Sequence, residues 1–137
     1  MDDIAFVALG SNVGDRKQHL ADALSRIEAI PGVELIAASS VEETDPLGPV
    51  AQGAYLNQMV ALRTSLSPPD LLAALANAER SGGRVRSTRW GPRTIDLDIV
   101  KYARTTWDAP DLRVPHGEFD NREFWKRELA ELEEVIN

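Results

Sequence analysis

The sequence predicts a single α+β domain in which one antiparallel sheet packs against helices. Short apolar runs alternate along the chain with segments whose apolar residues recur at helical spacing. Clusters of glycine and proline mark the boundaries between these segments. A length of 137 residues with 43% hydrophobic residues is that of one domain with its own core, so residues 1–137 are expected to form one unit.

The first half of the chain is predicted to contain two strands, a helix and a long loop. Residues 4–9 form an apolar run that ends at Gly10-Ser11-Asn12, which indicates a buried strand entering a turn. Residues 15–30 show helical spacing, and a Pro-Gly pair ends that helix. Residues 33–41 alternate as a strand does, whereas residues 44–53 hold two prolines and two glycines and are predicted to be a loop.

The second half repeats the pattern of strand and helix. Residues 55–62 are predicted to be a strand, and Ser67 is a suitable N-cap for a helix that continues to about residue 80. An arginine-rich loop leads to a strand over residues 94–102, and residues 121–136 are predicted to be a charged helix. The order βαββαβ with a C-terminal helix is the ferredoxin-like arrangement, an antiparallel sheet with helices on one face and the other face open.

Two of the strands indicate which residues the open face carries. Successive residues of a strand point to opposite faces, and the face that packs on helices should be aliphatic. The aliphatic sets are Ile95, Leu97 and Ile99 in one strand, and Leu56, Val60 and Leu62 in the other. The opposite sets are Asp96 and Asp98, and Tyr55, Asn57 and Met59. We therefore expect the two aspartates, Tyr55 and Asn57 on the uncovered face, where a site can form.

The charge and the cysteine content exclude several classes of protein. The net charge of −7 argues against general affinity for nucleic acid, and the absence of cysteine excludes disulfide scaffolds and thiolate metal sites. The chain begins with an acidic Met1-Asp2-Asp3, and its longest apolar run is far shorter than a bilayer span of about 20 residues. These features predict a cytoplasmic protein that does not associate with membranes, and we expect a monomer.

Asp96 and Asp98 are candidate metal ligands. Their positions on one strand face place the backbones roughly 6–7 Å apart, so the two negative charges repel and need a counter-charge. Oxygen ligands without histidine or cysteine favour Mg²⁺, which binds one or two carboxylates together with substrate phosphates. A polar pair on a solvated sheet face is the alternative interpretation.

The loop before these aspartates favours phosphate chemistry. It concentrates five of the 15 basic residues in 14 positions, namely Arg80, Arg84, Arg86, Arg89 and Arg93. Guanidinium groups form bidentate contacts with phosphate oxygens, and a phosphate-binding loop beside a metal-binding pair suits phosphoryl transfer. The sequence has no P-loop, kinase glycine-rich loop or Rossmann fingerprint. A solvated charge run is the alternative.

Six segments together resemble one enzyme family, 6-hydroxymethyl-7,8-dihydropterin pyrophosphokinase of folate biosynthesis. They are Ala8-Leu-Gly-Ser-Asn12, Thr44-Asp-Pro-Leu-Gly-Pro49, Tyr55-Leu-Asn57, Gly83-Arg-Val-Arg86, Arg89-Trp-Gly-Pro-Arg-Thr-Ile-Asp-Leu-Asp98 and Val114-Pro-His116. The resemblance covers residues 4 to about 124, and the segment over residues 89–98 is specific to this family. It implies the same ferredoxin-like core.

The resemblance implies a reaction and its residues. ATP binds with two Mg²⁺ ions held by Asp96 and Asp98, the hydroxymethyl oxygen of the pterin attacks the β-phosphorus, and AMP is released. The implied catalytic residues are Arg84, Trp90, Arg93, Asp96 and Asp98. The implied pterin-binding residues are Thr44, Asp45, Leu47, Tyr55, Asn57 and Phe124. The implied nucleotide-binding residues are Glu79, Arg86, Ile99, His116 and Arg122.

Several of these residues have ordinary structural interpretations. Tyr55 and Phe124 are also typical core aromatics, and His116 can be a turn residue after proline. Glu79 and Arg86 can pair with each other on the surface, and Arg122 can cap the last helix.

Two alternative functions remain open. One follows from differences between this sequence and the family pattern, and the other follows from the predicted fold. The stretch between Arg86 and Arg89 is one residue shorter than usual, Asp111 and Gly117 replace a basic and an aromatic residue, and the C-terminal tail is atypical. These departures favour a catalytically weakened pterin- or nucleotide-binding relative. A ferredoxin-like sheet with an Arg/Trp loop also resembles an RNA-binding module, although two aspartates on its face would repel phosphates.

Overall fold

The structure is a computed structural model, and it describes residues 2–45, 54–81 and 95–136. Its strands are β1 (Asp3–Ser11), β2 (Val33–Ala38), β3 (Glu42–Thr44), β4 (Tyr55–Thr64), β5 (Asp96–Tyr102), β6 (Trp107–Ala109) and β7 (Leu112–Val114). Its helices are α1 (Arg16–Glu28), α2 (Pro68–Ser81) and α3 (Glu123–Ile136), with a 3-10 turn at Phe119–Asn121.

The main sheet confirms the predicted ferredoxin-like order. Its strands lie in the order β2-β4-β1-β5, and all neighbouring pairs are antiparallel. Both α1 and α2 pack on one face, as predicted, and their contacts with the strands form the main core. The core residues of β1 are Ala5, Val7 and Leu9, and those of β4 are Leu56, Val60 and Leu62.

The edge beside β4 differs from the prediction. The expected strand over residues 33–41 is two strands, because β2 pairs with one half of β4 and β3 pairs with the other half. Ser39 lies at the break, where its N–H donates to the Met59 carbonyl and its Oγ accepts from the Met59 N–H. Thr44, predicted to open a loop, is the last residue of β3.

Two further differences concern turns. Gly10 and Ser11 were expected in a turn, but β1 continues through both because they pair with Asn57 and Leu56 of β4. The hairpin of β6 and β7 was not predicted from the sequence. Each of its strands has only three residues, which is too short to show an alternating pattern.

Helix α3 covers part of the second face of the sheet. The prediction that this face is open is therefore wrong where α3 packs on it. Trp125, Leu129 and Leu132 of α3 recur at helical spacing and are buried. Against them pack residues from three strands, namely Phe6, Ala8, Met59, Ala61 and Val100. The apolar stripe is narrow among charged neighbours, so the sequence alone predicts a charged helix without indicating that it covers the sheet.

None of the helices in residues 2–45, 54–81 and 95–136 combines the length and the apolar character that a membrane span requires.

Glu128 is a carboxylic acid enclosed between α3 and the sheet, with 2% of its surface exposed. Burial raises its pKa to about 8, and the nearby charges of Glu42 and Glu131 act in the same direction against the opposing charge of Arg127. As a carboxylate it has no hydrogen-bond donor among the described residues. Once protonated, its O–H can donate to the carboxylate of Glu42 on β3. Glu128 is therefore a neutral acid at pH 7.

Replacing Glu128 should change how stability depends on pH. Between pH 4.5 and about 8 the folded protein keeps a proton that the unfolded chain loses, so this group's contribution to stability decreases as pH rises. In Glu128→Gln that contribution is absent. The melting temperature of this variant should therefore rise relative to that of the unchanged protein as the pH increases through this range. The measurement is thermal unfolding by circular dichroism at each pH. The control Glu134→Gln alters an exposed residue of α3 and should show no such gain; parallel curves for Glu128→Gln would contradict the account.

Candidate active site

Polar residues of three strands meet where α3 no longer covers the sheet. Gly10 of the central strand β1 lies opposite Asn57 of β4 on one side and opposite Asp96 of β5 on the other. In the next row, Ala8 lies opposite Asp98. Opposed residues of antiparallel strands share a face, so Asn57 and both aspartates lie on the face that carries α3. The sheet therefore brings together Asn57, Asp96 and Asp98, as the strand pattern predicts.

Gly10 is required by close packing in the middle of this row. A Cβ at position 10 would lie 3.3 Å from Asn57 Oδ1 and 3.4 Å from Cδ1 of Tyr55. Both distances are at or below the tight end of ordinary carbon contacts, so a side chain here would push against both residues. The role of Gly10 was missed at the sequence level, where it appears as a turn residue. The available signal was the position of Gly10 directly after a buried apolar run. If the strand continues through Gly10, this residue can lie beside Asn57 and Asp96.

Thr44 fixes the amide of Asn57. Asn57 is 7% exposed, and its Nδ2 donates a hydrogen bond to Oγ1 of Thr44. The carbonyl oxygen Oδ1 then lies over Gly10. An amide offers two N–H donors and one acceptor, and the bond to Thr44 uses one donor. The group is thus held in one orientation and can present a donor beside an acceptor to a ligand.

Glu79 stabilises the strand that carries the aspartates. β5 is an edge strand of the sheet, and the N–H of Leu97, between Asp96 and Asp98, donates to Glu79 Oε2 at 2.8 Å. An edge strand offers backbone groups without a neighbouring strand, and this carboxylate from α2 satisfies one of them. The hydrogen bond holds β5 at Leu97, the residue between Asp96 and Asp98. Both aspartates are partly exposed.

The carboxylate oxygens at this end of the sheet fit Mg²⁺ better than a metal ion that takes all its ligands from the protein. In the parts of the chain that the structure describes, no group of three or more His, Cys, Asp or Glu side chains could hold a metal. Two neighbouring carboxylates remain, and Mg²⁺ commonly takes one or two carboxylates and completes its shell with water and phosphate oxygens.

His116 lies near Asp98, and its hydrogen bonds favour a neutral ring. Its backbone N–H donates to the Val100 carbonyl at 2.8 Å, and its Nδ1 accepts from the Glu118 N–H at 3.0 Å. Burial lowers the pKa of His116, as does the charge of Arg122, while the charge of Asp98 opposes them. With Nδ1 as an acceptor, the neutral ring carries its proton on Nε2, which is a hydrogen-bond donor.

Trp125 gathers three of the predicted site residues at the start of α3. The His116 ring meets the Trp125 ring edge-on with centroids 4.9 Å apart, and the Arg122 guanidinium carbon lies 4.3 Å from the Trp125 ring centroid. The Phe124 ring also meets the Trp125 ring edge-on, with ring centroids 6.1 Å apart. The Arg122 carbonyl also accepts from the Lys126 N–H at 3.3 Å, so Arg122 occupies the N-cap of α3 while its guanidinium stacks on the Trp125 ring. Trp125 was missed from the sequence, where its neighbour Phe124 offered the more familiar ligand-stacking signal.

The remaining predicted residues lie elsewhere or outside the described residues. Ile99 is 2% exposed in the core on the opposite face, so its side chain does not reach the aspartates and a nucleotide contact there would use the backbone. Asp45 follows β3 and is exposed, and Tyr55 begins β4 on the site face. Leu47, Arg84, Arg86, Trp90 and Arg93 lie outside the residues that the structure describes.

Comparison with known proteins gives a consistent family. Residues 6–134 match the family model described as 7,8-dihydro-6-hydroxymethylpterin-pyrophosphokinase (HPPK). The chain is 44% identical over 127 residues to the 2-amino-4-hydroxy-6-hydroxymethyldihydropteridine pyrophosphokinase of Pseudomonas aeruginosa, a match that covers 93% of this chain and 78% of that protein. It is 42% identical over 132 residues to the enzyme of the same name from Bacillus subtilis, covering 96% of this chain and 79% of that protein.

A solved structure shares the fold. The chain resembles the crystal structure of Plasmodium falciparum HPPK-DHPS with pteroate at a TM-score of 0.66 and 12% sequence identity. The match covers 91% of this chain and 36% of that one. At this identity the likeness concerns the fold alone.

The proximity of His116, Asp98 and Arg122 predicts a set of pKa changes. His116 should titrate below the usual range of histidine. Asp98→Asn should lower the pKa of His116 further because it removes a nearby negative charge, whereas Arg122→Gln should raise it. An NMR pH titration of the histidine ring signals measures this, and loss of one signal in His116→Gln identifies His116. If both variants leave its pKa unchanged, the arrangement described here is incorrect.

Proposed function

The chain belongs to the 7,8-dihydro-6-hydroxymethylpterin-pyrophosphokinase family, and we propose that its sheet end around Gly10 transfers diphosphate from ATP to the hydroxymethyl group of 6-hydroxymethyl-7,8-dihydropterin. The family assignment makes the chain a pyrophosphokinase of folate biosynthesis that uses ATP as co-substrate. One observation carries the assignment of the site: Asn57 and Asp96 flank Gly10, and Asp98 lies in the next row of the same sheet face.

The proposed reaction is a single in-line transfer. The hydroxymethyl oxygen forms a bond to the β-phosphorus of ATP and loses its proton. The bond from that phosphorus to the oxygen bridging the α- and β-phosphates breaks, and AMP leaves with the bridging oxygen. Little covalent chemistry is required of the protein, so its contribution is to align the substrates and to balance charge.

Asp96 and Asp98 are the proposed ligands of two Mg²⁺ ions. Their hard oxygen donors fit this ion, and their mutual repulsion favours a cation between them. When bound, the ions would neutralise charge on the triphosphate. The chain's own contribution is to hold the two carboxylates on one strand face, which Glu79 supports through its hydrogen bond to Leu97.

The pterin is proposed to lie on the β4 side of Gly10. The orientation of the Asn57 amide by Thr44 supports this, since a donor beside an acceptor complements the polar edge of a pterin. Tyr55 and Phe124 would enclose the ring, because flat aromatic faces stack well on a bicyclic heterocycle. Asp45 and Leu47 are proposed to complete the pterin contacts.

The nucleotide is proposed to lie on the β5 side, near His116 and Arg122. A neutral His116 can donate from Nε2 to a nucleotide oxygen, and Arg122 supplies positive charge while stacked on Trp125. The other proposed nucleotide contacts are Glu79, Arg86 and Ile99. Arg84, Trp90 and Arg93 are proposed to close over both substrates, where guanidinium groups would stabilise the phosphate charge of the transition state.

The partners proposed are small molecules. We propose that the chain acts as a monomer. Binding of nucleic acid is not proposed, since Asp96 and Asp98 would repel a phosphate backbone, and the lack of cysteine supports a cytoplasmic location. A catalytically weakened relative would bind pterin without forming AMP.

Replacing Asp98 should abolish transfer while leaving the fold intact. Asp98→Asn retains the shape of the side chain but weakens metal binding, so we expect a loss of at least about a hundredfold in kcat with ATP, Mg²⁺ and the dihydropterin. Product analysis should show AMP for the unchanged enzyme. Asp22→Asn, which alters a carboxylate on α1, should retain full activity. Unchanged turnover in Asp98→Asn, or ADP as the product of the unchanged enzyme, would contradict the proposal.

Adding a methyl group at Gly10 should weaken pterin binding more than ATP binding. In Gly10→Ala the new Cβ presses on Asn57 Oδ1 and on Tyr55, so the KM for the dihydropterin should rise by about tenfold or more. Gly117→Ala is the matched control, because a Cβ there meets nothing within 4 Å. Steady-state kinetics with each substrate varied in turn measures the effect. An unchanged pterin KM in Gly10→Ala would contradict the proposal that the pterin binds on the β4 side of Gly10.

A further inference from the structure

Arg16 lies on α1, on the sheet face opposite the proposed site. It is the first residue of that helix, after a turn in which Gly14 has a φ of 66°. The Asp15 side chain caps the helix by accepting from the N–H of Gln18 at 3.2 Å. The turn and the cap therefore fix where the Arg16 side chain begins.

The Arg16 guanidinium joins the two strands that carry the proposed pterin residues. Its Nη1 donates to the carbonyl of Ala54 at 2.8 Å and lies 3.0 Å from Oε2 of Glu43. Ala54 directly precedes β4, and Glu43 is the middle residue of β3. The side chain of Arg16 is 31% exposed and that of Glu43 is 58% exposed, so solvent partly screens this ion pair.

β3 has little backbone support, and side chains from two helices contact it: Arg16 pairs with Glu43, and Arg127 of α3 pairs with Glu42 at 2.9 Å. The strand is three residues long and pairs with β4 through only three residue pairs. Glu43 and Thr44 are successive residues and point to opposite faces. On the site face, Thr44 accepts the hydrogen bond that orients the Asn57 amide. We therefore expect a shift of Glu43 to displace its neighbour Thr44 and to disturb the hydrogen bond between Thr44 and Asn57.

We infer that Arg16 is a positioning residue for pterin recognition, which acts through Glu43 and Ala54 on Thr44, Tyr55 and Asn57 without touching the substrate. The inference rests on the proposed function, since it needs those three residues to bind the pterin. It goes further because it assigns the orientation of the pterin site to a charge on the other face of the sheet. The aspartates on β5 lie across β1 and β4 from Arg16 and do not depend on it.

Steady-state kinetics of Arg16→Gln tests the inference. We expect the KM for 6-hydroxymethyl-7,8-dihydropterin to rise by about tenfold, because two charge-assisted contacts are lost, while the KM for ATP and the kcat at saturating pterin change by less than about twofold. Arg16→Lys retains the charge but lacks the planar guanidinium, so its pterin KM should lie between those of Arg16→Gln and the unchanged enzyme. Glu43→Gln should reproduce part of the effect.

The matched control is Arg63→Gln. Arg63 forms an ion pair of the same 3.0 Å length with Glu34, between β2 and β4, at the other end of the sheet. Its loss should leave both KM values unchanged. All assays are run well below the melting temperature of each variant. The side-chain amide signal of Asn57 in an NMR spectrum without ligand gives a second readout, and it should shift in Arg16→Gln and stay in place in Arg63→Gln.

The outcomes distinguish this inference from the proposed function. If Asn57→Ala raises the pterin KM while a folded Arg16→Gln leaves both the KM and the Asn57 signal unchanged, the inference is wrong and the proposed site stands. Equal increases of both KM values in Arg16→Gln indicate general destabilisation and also overturn it. If Asn57→Ala leaves the pterin KM unchanged, the pterin site itself is wrong and the inference falls with it. Should Arg16→Gln fail to fold, Glu43→Gln and Arg16→Lys decide by the same criteria.

Discussion

The helix α3 covers only part of one sheet face, and the site depends on that partial coverage. Trp125, Leu129 and Leu132 exclude water from one half of the face. The other half has no apolar cover from α3, so its strand residues can be polar and partly exposed, as Asp96 and Asp98 are. The boundary lies at His116 and Trp125, which pack against each other edge to face. One helix thus stabilises the sheet and also delimits the proposed ligand site.

Gly10 divides the site into two chemically different sides. Asn57 on β4 is a neutral amide held by Thr44, whereas Asp96 on β5 is an acid beside a second acid, Asp98. Adjacent strands are about 5 Å apart, so the two sides are roughly 10 Å apart across β1. A neutral heterocycle and a metal-bound triphosphate require such different surroundings. In the proposed function, the glycine between them would leave room for the reacting groups to meet.

Strand alternation was sufficient to predict the residues of the site face, because a period of two needs only local information. It placed Asn57, Asp96 and Asp98 together, and the structure does so through β1. The coverage by α3 could not be predicted, because an apolar stripe such as Trp125 and Leu129 does not specify its partner surface. The prediction for Gly10 was wrong for a related reason. Asn57 and Tyr55, which leave no room for a side chain at position 10, are distant in sequence. Arg16 has the same limitation: its partners Glu43 and Ala54 are defined only by folding.

A crystal structure with a non-hydrolysable ATP analogue, 6-hydroxymethylpterin and Mn²⁺ in place of Mg²⁺ tests the central claim most directly. Anomalous scattering locates the manganese independently of the refined model. The account predicts manganese against the carboxylates of Asp96 and Asp98, and the pterin edge against the amide of Asn57 on the other side of Gly10. Manganese bound away from both aspartates, or a pterin seated away from Asn57, would contradict it.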